Sequence, residues 1–354
     1  PNVESMLSSI IQAGKSGVER LGADSIQRFL EAQPNVTGDV EILNMAHIGD
    51  VGASSGLVLF TARYETTSGP ATRDLVLRHA PGSETRIYFE YDLSRQFRVQ
   101  RALQGSAAPV PEPLWLDPDG RWLGVPGYVM ARAQGAAPHP SAFTRGPIAE
   151  APESERPAML RQIMDALVAI HKTDIQGAGL NDFVMNAPGG DPMERCINWY
   201  WRTWEWIKPS NYQDLVKPHQ WLLQRKPSGP VELMHGDSTL HNYMFFNRTL
   251  TAVVDWEMSS LGHAEADLAL QCVGNAMFAP PPDSGLQGPP SEAEWLELYY
   301  ASGGRKMREF EYYKKFAAFM VVTAITSIQR NMTDEVRASQ SSFLTPLWDL
   351  LRDI

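Results

Sequence analysis

The spacing of apolar residues changes along the chain. Between residues 5 and 33 they recur every three or four positions, which predicts helices interrupted by glycines. From residue 40 the period shortens to two, which is typical of strands. The elements predicted in this part are strands at Val40–Met45, Leu57–Tyr64, Asp74–Arg78 and Gly127–Met130, and a helix at Tyr88–Leu103. The Pro-rich stretch Pro109–Gly120 predicts a loop.

The rest of the chain follows a mainly helical pattern. Ser154 precedes a long periodic helix, and Ser291 with Glu294 predicts a capping box at the start of another. Short apolar runs predict strands at Val231–Met234, Tyr243–Phe246 and Leu250–Val254. The stretch 133–152 is rich in Ala, Gly and Pro and reads as a linker. We therefore predict an α+β fold of two lobes, a small antiparallel β-sheet lobe over 1–131 and a larger, mainly helical lobe over 132–354.

Polar residues stand at the ends of these short strands. Asp237 follows the first strand, Asn242 comes five residues later, and Asp255 comes thirteen residues after that, beyond an apolar hairpin. Kinase-type phosphoryl transfer uses this arrangement, because one Asp accepts the proton of the attacking hydroxyl while an Asn and a second Asp hold Mg²⁺. The spacing predicts Asp237 as the catalytic base and Asn242 and Asp255 as metal ligands.

The motif His-x-Asp-x-x-x-x-Asn, followed by an apolar strand that ends in Asp255-Trp256, resembles the aminoglycoside phosphotransferase and choline kinase branch of the protein-kinase-like fold. The resemblance implies a two-lobed kinase-like fold, ATP and Mg²⁺ as cofactors, and transfer of the γ-phosphate to a hydroxyl of a small molecule. It also implies that His235 braces the catalytic loop. We predict structural roles for His171, as a satisfied core histidine, and for Asp267, as a helix cap.

A glycine-rich loop at residues 49–56, Gly-Asp-Val-Gly-Ala-Ser-Ser-Gly, lies between the first two predicted strands. It fits the phosphate-covering hairpin of kinases, the Gly-x-Ser-x-Gly elbow of α/β-hydrolases, or a plain turn. An elbow must open a helix, whereas the residues after this loop favour a strand. We therefore favour the phosphate loop, with Gly49, Gly52, Ser54 and Ser55 as nucleotide contacts.

Further nucleotide contacts follow from the resemblance alone. Arg78 occupies the position of the kinase strand lysine and is implied as the phosphate-contacting cation. The chain looks most like the acyl-CoA-dehydrogenase-associated phosphotransferases, in which a helix glutamate pairs with this cation. Here Gln96 replaces that glutamate. Asp92, one turn earlier, is an alternative partner, but we favour its interpretation as an exposed helix residue. The backbone of Met130, Ala131 and Arg132 is implied to meet the adenine.

A tryptophan-rich segment at 199–206 precedes the catalytic motif. Trp201 and Trp204 share one helical face with Ile197 and Ile207, so core packing explains much of this stripe. The surplus of aromatic residues still makes Trp201, Trp204 and Glu205 candidate substrate residues. Since Glu205 is the only acid between 198 and 208, the segment favours a neutral or anionic, partly apolar acceptor over an aminoglycoside.

Composition removes several function classes. A formal net charge of −10 argues against nucleic acid as a partner, and the most apolar run, at 316–325, is too short to span a membrane. The absence of a secretory signal and the presence of two cysteines favour a cytoplasmic protein. Two alternatives remain open, a metal hydrolase that uses His235, Asp237 and His241, and a nucleotide-binding protein without transfer activity. The sequence does not predict an oligomeric state.

Overall fold

A computed structural model describes residues 21–48, 56–82, 86–281, 283–330, 332–333, 337 and 341–354. It divides into two compact units. The first comprises the described residues of 1–101, 111–132 and 331–336, and the second those of 102–110, 133–330 and 337–354. Residues 49–55 of the glycine loop predicted at 49–56, and most of the predicted N-terminal helices, lie outside the described residues. Gly56 is the first residue of a strand.

The first unit is built on a five-stranded antiparallel sheet. Its strands are β1 (Glu41–Ile48), β2 (Gly56–Thr66), β3 (Gly69–His79), β4 (Pro113–Asp117) and β5 (Gly127–Ala131), in the spatial order β1-β2-β3-β5-β4. Helix α1 (Ala23–Glu31) precedes β1, and helix α2 (Leu93–Ala102) lies between β3 and β4 in the chain. Because strand side chains alternate between faces, Leu75, Leu77 and Val129 enter one apolar cluster with α1, whereas Tyr128 and Met130 enter another with Leu93 of α2.

Strand β4 corrects the prediction of a loop at Pro109–Gly120. Pro113 is the first residue of the strand, and β4 is the last strand in the order. Proline has no backbone N–H to donate. It is tolerated at the start of an edge strand, because the outer side of such a strand has no neighbouring strand to bond. The short apolar run Leu114-Trp115-Leu116 was the overlooked signal for a strand.

Helix α2 begins at Leu93 and not at the predicted Tyr88. The carboxylate of Asp92 accepts a hydrogen bond from the backbone N–H of Arg95 at 3.1 Å. This is the geometry of a helix N-cap, in which a side-chain oxygen satisfies an N–H that has no helical partner. Asp92 is exposed and caps α2, which agrees with its interpretation as an exposed residue at the helix and not with the alternative of a partner for Arg78.

The second unit is mainly helical. Its helices are α3 (Pro147–Glu150), α4 (Arg156–His171), α5 (Pro192–Ile207), α6 (Val216–Gln224), α7 (Ala264–Met277), α8 (Glu292–Ala301), α9 (Phe310–Gln329) and α10 (Ser341–Arg352). Two small antiparallel pairs join them: β6 (Glu232–Met234) with β9 (Ser260–Gly262), and β7 (Tyr243–Phe246) with β8 (Thr249–Val253). The predicted capping box of Ser291 and Glu294 is present. The α+β prediction is confirmed, and no helix in the described parts of the chain is long and apolar enough to cross a membrane.

Candidate functional site

The predicted catalytic segment, residues 235–242, leaves β6 through a turn that only glycine fits. Gly236 has φ +84°, and a Cβ at this position would lie 1.9 Å from the carbonyl oxygen of Met258. Side chains other than that of glycine rarely adopt this backbone region. The turn therefore fixes the direction in which His235 and Asp237 leave the strand.

His235 ties the catalytic segment to the strand that carries Asp255. Its Nε2 lies 2.9 Å from the carbonyl oxygen of Val254, and its Nδ1 lies 3.3 Å from the backbone nitrogen of Asp237. A carbonyl can only accept, so Nε2–H donates to it, and Nδ1 then accepts from the Asp237 N–H. Both ring nitrogens are occupied, which argues against the metal-hydrolase alternative and supports a bracing role. No group of three or more His, Cys, Asp or Glu side chains that could hold a metal ion occurs among the described residues.

Asp267 on α7 holds the same segment from the other side. Its carboxylate accepts hydrogen bonds from the backbone N–H groups of His235 at 2.7 Å and Gly236 at 2.8 Å. The ring of His171 lies 3.0 Å from the same carboxylate and 2.8 Å from the hydroxyl of Tyr299. His171 is a satisfied core histidine, as predicted. The prediction of a helix cap at Asp267 is wrong, because α7 has His263 as its N-cap and Asp267 lies inside its first turn. The Asp267 carboxylate instead anchors two consecutive amides of the loop that carries Asp237.

Asn242 connects the backbone segments that carry the two predicted carboxylates. Its side-chain Nδ2 donates to the backbone carbonyl oxygen of Asp237 at 2.8 Å, and its backbone carbonyl oxygen accepts from the backbone N–H of Val254 at 2.9 Å. Val254 immediately precedes Asp255, so the backbones of the three predicted site residues meet through Asn242. Asp255 adopts φ 64° and ψ 66°, a left-handed conformation that costs free energy and is concentrated at functional sites.

The environment of Asp237 favours its ionised form. Thr239 donates its hydroxyl to Asp237 Oδ1 at 2.7 Å, and His241 Nε2 lies 3.8 Å from Oδ2. Burial by itself would raise the pKa of this carboxyl, but attraction to His241 and the hydrogen bond from Thr239 outweigh it, so the pKa lies below its ordinary value. The side chain still has 31% of its surface exposed, so it is accessible from solvent.

In the first unit, Arg78 and Gln96 are both buried on one face of the sheet. Arg78 on β3 is directly opposite Tyr128 on β5, and side chains opposite each other in an antiparallel pair share a face. The Tyr128 hydroxyl lies 3.5 Å from Gln96 Oε1, which is a long hydrogen bond. Gln96 of α2 thus lies on the same side of the sheet as Arg78 of β3, and Tyr128 of β5 contacts it there.

The segment predicted to meet the adenine lies at the end of β5. The backbone N–H of Ala131 donates to the carbonyl of Glu112 at 2.9 Å, and that of Arg132 donates to the carbonyl of Asp74 at 3.0 Å. Met130 is buried, and its sulfur lies 3.8 Å from Gln100 Nε2. Since the two N–H groups already have partners, an adenine contact through Ala131 or Arg132 would have to use a carbonyl oxygen. Gly49, Gly52, Ser54 and Ser55 lie outside the described residues.

The three predicted substrate residues have different surroundings. Trp204 has 0% of its surface exposed, and its indole N–H donates to the carbonyl of Tyr212 at 3.0 Å, so it packs in the core and offers no surface to a ligand. The ring of Trp201 stacks on His219 with centroids 4.4 Å apart. Glu205 is exposed. The structure therefore assigns Trp204 to packing and leaves surface only on Trp201 and Glu205.

Comparisons with known proteins agree on one family. The model of the "Phosphotransferase enzyme family" matches residues 59–310. The chain is 27% identical over 341 residues to acyl-CoA dehydrogenase family member 10 of Mus musculus, covering 91% of this chain and 30% of the relative. It is 26% identical over 234 residues to acyl-CoA dehydrogenase family member 11 of Homo sapiens, covering 63% and 29%. The chain thus spans about 30% of the length of these curated relatives.

Solved structures share the fold. A Ralstonia eutropha protein provisionally assigned as an aminoglycoside phosphotransferase superposes with a TM-score of 0.67 at 22% identity, covering 94% of this chain and 99% of that one. A thermostable mutant of the aminoglycoside phosphotransferase APH(4)-Ia, in a ternary complex with AMP-PNP and hygromycin B, gives a TM-score of 0.55 at 17% identity, covering 93% of this chain and 98% of that one.

Proposed function

The chain belongs to the phosphotransferase enzyme family, and from this premise we propose that it transfers the γ-phosphate of ATP, with Mg²⁺, to a hydroxyl group of a small molecule. The observation that carries the proposal is the pair of hydrogen bonds by which Asn242 joins Asp237 to the residue before Asp255. These bonds tie together the backbone segments on which Asp237, Asn242 and Asp255 stand. Phosphoryl transfer depends mainly on such positioning and on electrostatic stabilisation.

Asp237 is the proposed catalytic base. Its lowered pKa keeps the carboxylate ionised at neutral pH, so it can accept a hydrogen bond from the acceptor hydroxyl. The Thr239 hydroxyl occupies Oδ1, so Oδ2 is the oxygen proposed to receive the proton. The Gly236 turn and the Asp267 carboxylate fix the backbone on which this side chain stands.

The donor set of the site fits Mg²⁺. Asn242 uses its Nδ2 to bind Asp237, so its Oδ1 is the atom that can ligate a metal, and Asp255 supplies a carboxylate. Mg²⁺ prefers oxygen ligands and is commonly held by one or two carboxylates together with water and substrate phosphates. When bound, the ion neutralises the negative charge that develops on the transferred phosphoryl group.

The first lobe, 1–131, is the proposed nucleotide-binding lobe, with Arg78 and the glycine loop on the phosphates. Arg78 carries a fixed positive charge and can bind two phosphate oxygens at once. Use of an adenine nucleotide is supported by the structural neighbour whose complex contains AMP-PNP. The second lobe, 132–354, is proposed to carry the catalytic residues and the acceptor.

The identity of the acceptor is a separate question. The structural neighbour binds hygromycin B, whereas the curated relatives are named as acyl-CoA dehydrogenases. An aminoglycoside, choline, an amino-acid hydroxyl and a hydroxyacyl thioester are therefore all worth testing, and a common fold does not decide between them. We propose a neutral or anionic, partly apolar hydroxyl compound.

The direct test is a coupled assay of ATP consumption with Mg²⁺ and a panel of these four acceptor classes. The proposal expects saturable turnover with at least one hydroxyl compound, loss of turnover when Mg²⁺ is chelated, and loss in Asp237→Asn. Binding of Mg²⁺-ATP without turnover across the panel, together with unchanged residual ATP hydrolysis in Asp237→Asn, would favour a nucleotide-binding protein without transfer activity. The neutral residue at Gln96 is the observation that makes this second candidate worth separating.

A further inference from the structure

One face of α7 runs along the catalytic loop. Asp267 binds the loop amides, and seven residues later Gly274 is so close to the loop that a Cβ would lie 3.1 Å from Thr239 Cγ2. Seven residues make two helical turns, so both positions lie on the same face. Thr239 in turn donates its hydroxyl to Asp237. This face of α7 therefore passes beside the proposed catalytic carboxylate.

Two amide side chains lie on or next to this face. Gln271 is four residues after Asp267 and three before Gly274, and Asn275 is four residues after Gln271. Gln271 is 0% exposed and Asn275 is 6% exposed. Within the described part of the chain, neither Nε2 nor Oε1 of Gln271 has a hydrogen-bond partner, and neither does Nδ2 of Asn275. Buried amides without partners are unfavourable and rare, so this pair calls for a ligand or an ordered water.

We propose that Gln271 and Asn275 form the polar wall of the acceptor site and bind an oxygen atom of an uncharged or anionic acceptor. The inference rests on the proposed phosphotransfer at Asp237, because it interprets these groups as partners of the substrate that reacts there. The groups without partners are the NH₂ groups of Gln271 and Asn275 and the side-chain carbonyl oxygen of Gln271. The pair therefore offers a ligand more hydrogen-bond donors than acceptors. Such a wall suits hydroxyl and carbonyl oxygens and disfavours an ammonium group, which can only donate.

The surroundings of the pair indicate where the acceptor enters. Exposure rises along α7, from the enclosed Gln271 to Asn275 and then to the partly exposed Phe278 just after the helix. The ring of Phe278 lies 5.2 Å, between centroids, from the ring of Phe343 on α10, which is also partly exposed. The outer end is thus aromatic and the inner end polar. An acceptor with an oxygen-bearing end and an apolar body matches this order.

The test compares two small probes that both carry a hydroxyl. N-acetylethanolamine adds a neutral amide carbonyl to it, whereas ethanolamine adds an ammonium group. Ligand-observed NMR titration of the full chain, without nucleotide and then with Mg²⁺ and AMP-PNP, measures the Kd of each probe. We expect saturable binding of N-acetylethanolamine, tighter than that of ethanolamine. Gln271→Met and Asn275→Leu keep similar volume and remove the amide, so each should raise the Kd about fivefold, as for a lost neutral hydrogen bond.

Controls make the outcome specific. Ala276→Ser changes an exposed residue on the other side of α7 and should leave the Kd unchanged. Asn275→Asp keeps the shape of the side chain and should move the preference toward ethanolamine, which gives a second test if Gln271→Met fails to fold. Unchanged Kd values in the amide variants, stronger binding of ethanolamine by the parent, or no saturable binding of either probe would overturn the proposal. Because binding needs no transfer, retained probe binding without turnover would contradict only the proposed phosphotransfer.

Discussion

At the scale of single residues, the chemistry of the site depends on a few positions that the backbone holds in unusual conformations. Asp255 sits in the left-handed region, which Asp and Asn tolerate better than other residues with a Cβ. Gly236 also has a positive φ, and a Cβ there would meet the Met258 carbonyl. For a residue with a Cβ, such as Asp255, the left-handed conformation costs about 1–3 kcal/mol and persists only where the surrounding contacts enforce it, whereas glycine adopts it without that cost. Here those contacts run through His235, Asn242 and Val254.

The first prediction concerns Asp255. Asp255→Asn tolerates the same left-handed backbone but removes the negative charge proposed to hold Mg²⁺. We expect it to lose most of the Mg²⁺-dependent part of ATP binding in calorimetry, and Asp255→Ala to lose at least as much. ATP affinity measured with a chelator is the control and should not change. Equal Mg²⁺-ATP affinity in the parent and in both variants would remove Asp255 from the metal site.

The second prediction concerns Asp237. Asp237→Asn keeps the shape of the side chain and loses its capacity to accept a proton, so kcat should fall by about 10²–10⁴. Binding of Mg²⁺-ATP and the melting temperature should stay close to those of the parent. A variant with parental kcat and unchanged melting temperature would show that another group accepts the proton.

The third prediction is the pH dependence that follows from Asp237. Its folded-state pKa is lowered, so the carboxylate stays ionised as the pH falls to about 4, the ordinary range of an Asp side chain. We therefore expect no decrease in kcat due to this base between pH 8 and pH 5. The same shift contributes stability above the unfolded-state pKa, and that contribution is lost as the pH falls through the folded-state pKa. A kcat that halves near pH 6.5, and does so in His241→Gln as well, would contradict an ionised, low-pKa base.

At the scale of elements, some contacts of the site could be predicted from the sequence and others could not. The spacing of Asp237, Asn242 and Asp255 is local, because one short hairpin joins them, and strand periodicity already predicts that hairpin. The bond from Asp267 to the catalytic loop joins residues 32 and 31 positions apart. No periodicity encodes such a contact, and β9, which pairs with β6, is too short to give a signal of its own. Trp204 was misjudged because a helical stripe of aromatics does not tell a core face from a pocket.

The fourth prediction compares the contributions of Arg78 on β3 and Gln96 on α2 to ATP binding. Arg78→Ala should weaken ATP binding, because it removes the proposed phosphate-binding charge. Gln96→Ala should change ATP affinity little, since the Tyr128 hydroxyl is the partner that this structure gives its amide, at a long 3.5 Å. Gln96 is buried, so the variant should instead lower the melting temperature. Gln96→Leu, of similar volume, separates the loss of packing from the loss of the amide. An ATP affinity in Gln96→Ala as weak as in Arg78→Ala would make the amide part of the phosphate site.

At the scale of the whole molecule, the charge distribution bears on the acceptor. The chain carries a net charge of −10, but between 198 and 208 the only acid is Glu205, against Arg202 and Lys208. Arg202 donates to the carbonyl of Asn186 at 2.7 Å, so its charge stays fixed in this region. His219, stacked on Trp201, adds no charge at neutral pH, because burial lowers its pKa to about 4. The segment therefore offers a polycation no cluster of carboxylates.

The fifth prediction follows from this charge pattern and concerns the choice of acceptor. Polyamine drugs such as kanamycin and hygromycin B carry several ammonium groups, which need closely spaced carboxylates to offset their loss of hydration. We expect their kcat/KM in a coupled ATP-consumption assay to lie about tenfold or more below that of the best neutral or anionic hydroxyl compound, a difference of about 1.4 kcal/mol. Raising the salt concentration should not reverse this order, because salt only weakens interactions between charges and cannot supply the missing carboxylates. Efficient, saturable turnover of the aminoglycosides, which weakens as salt rises, would instead reveal a carboxylate-lined site and contradict the prediction.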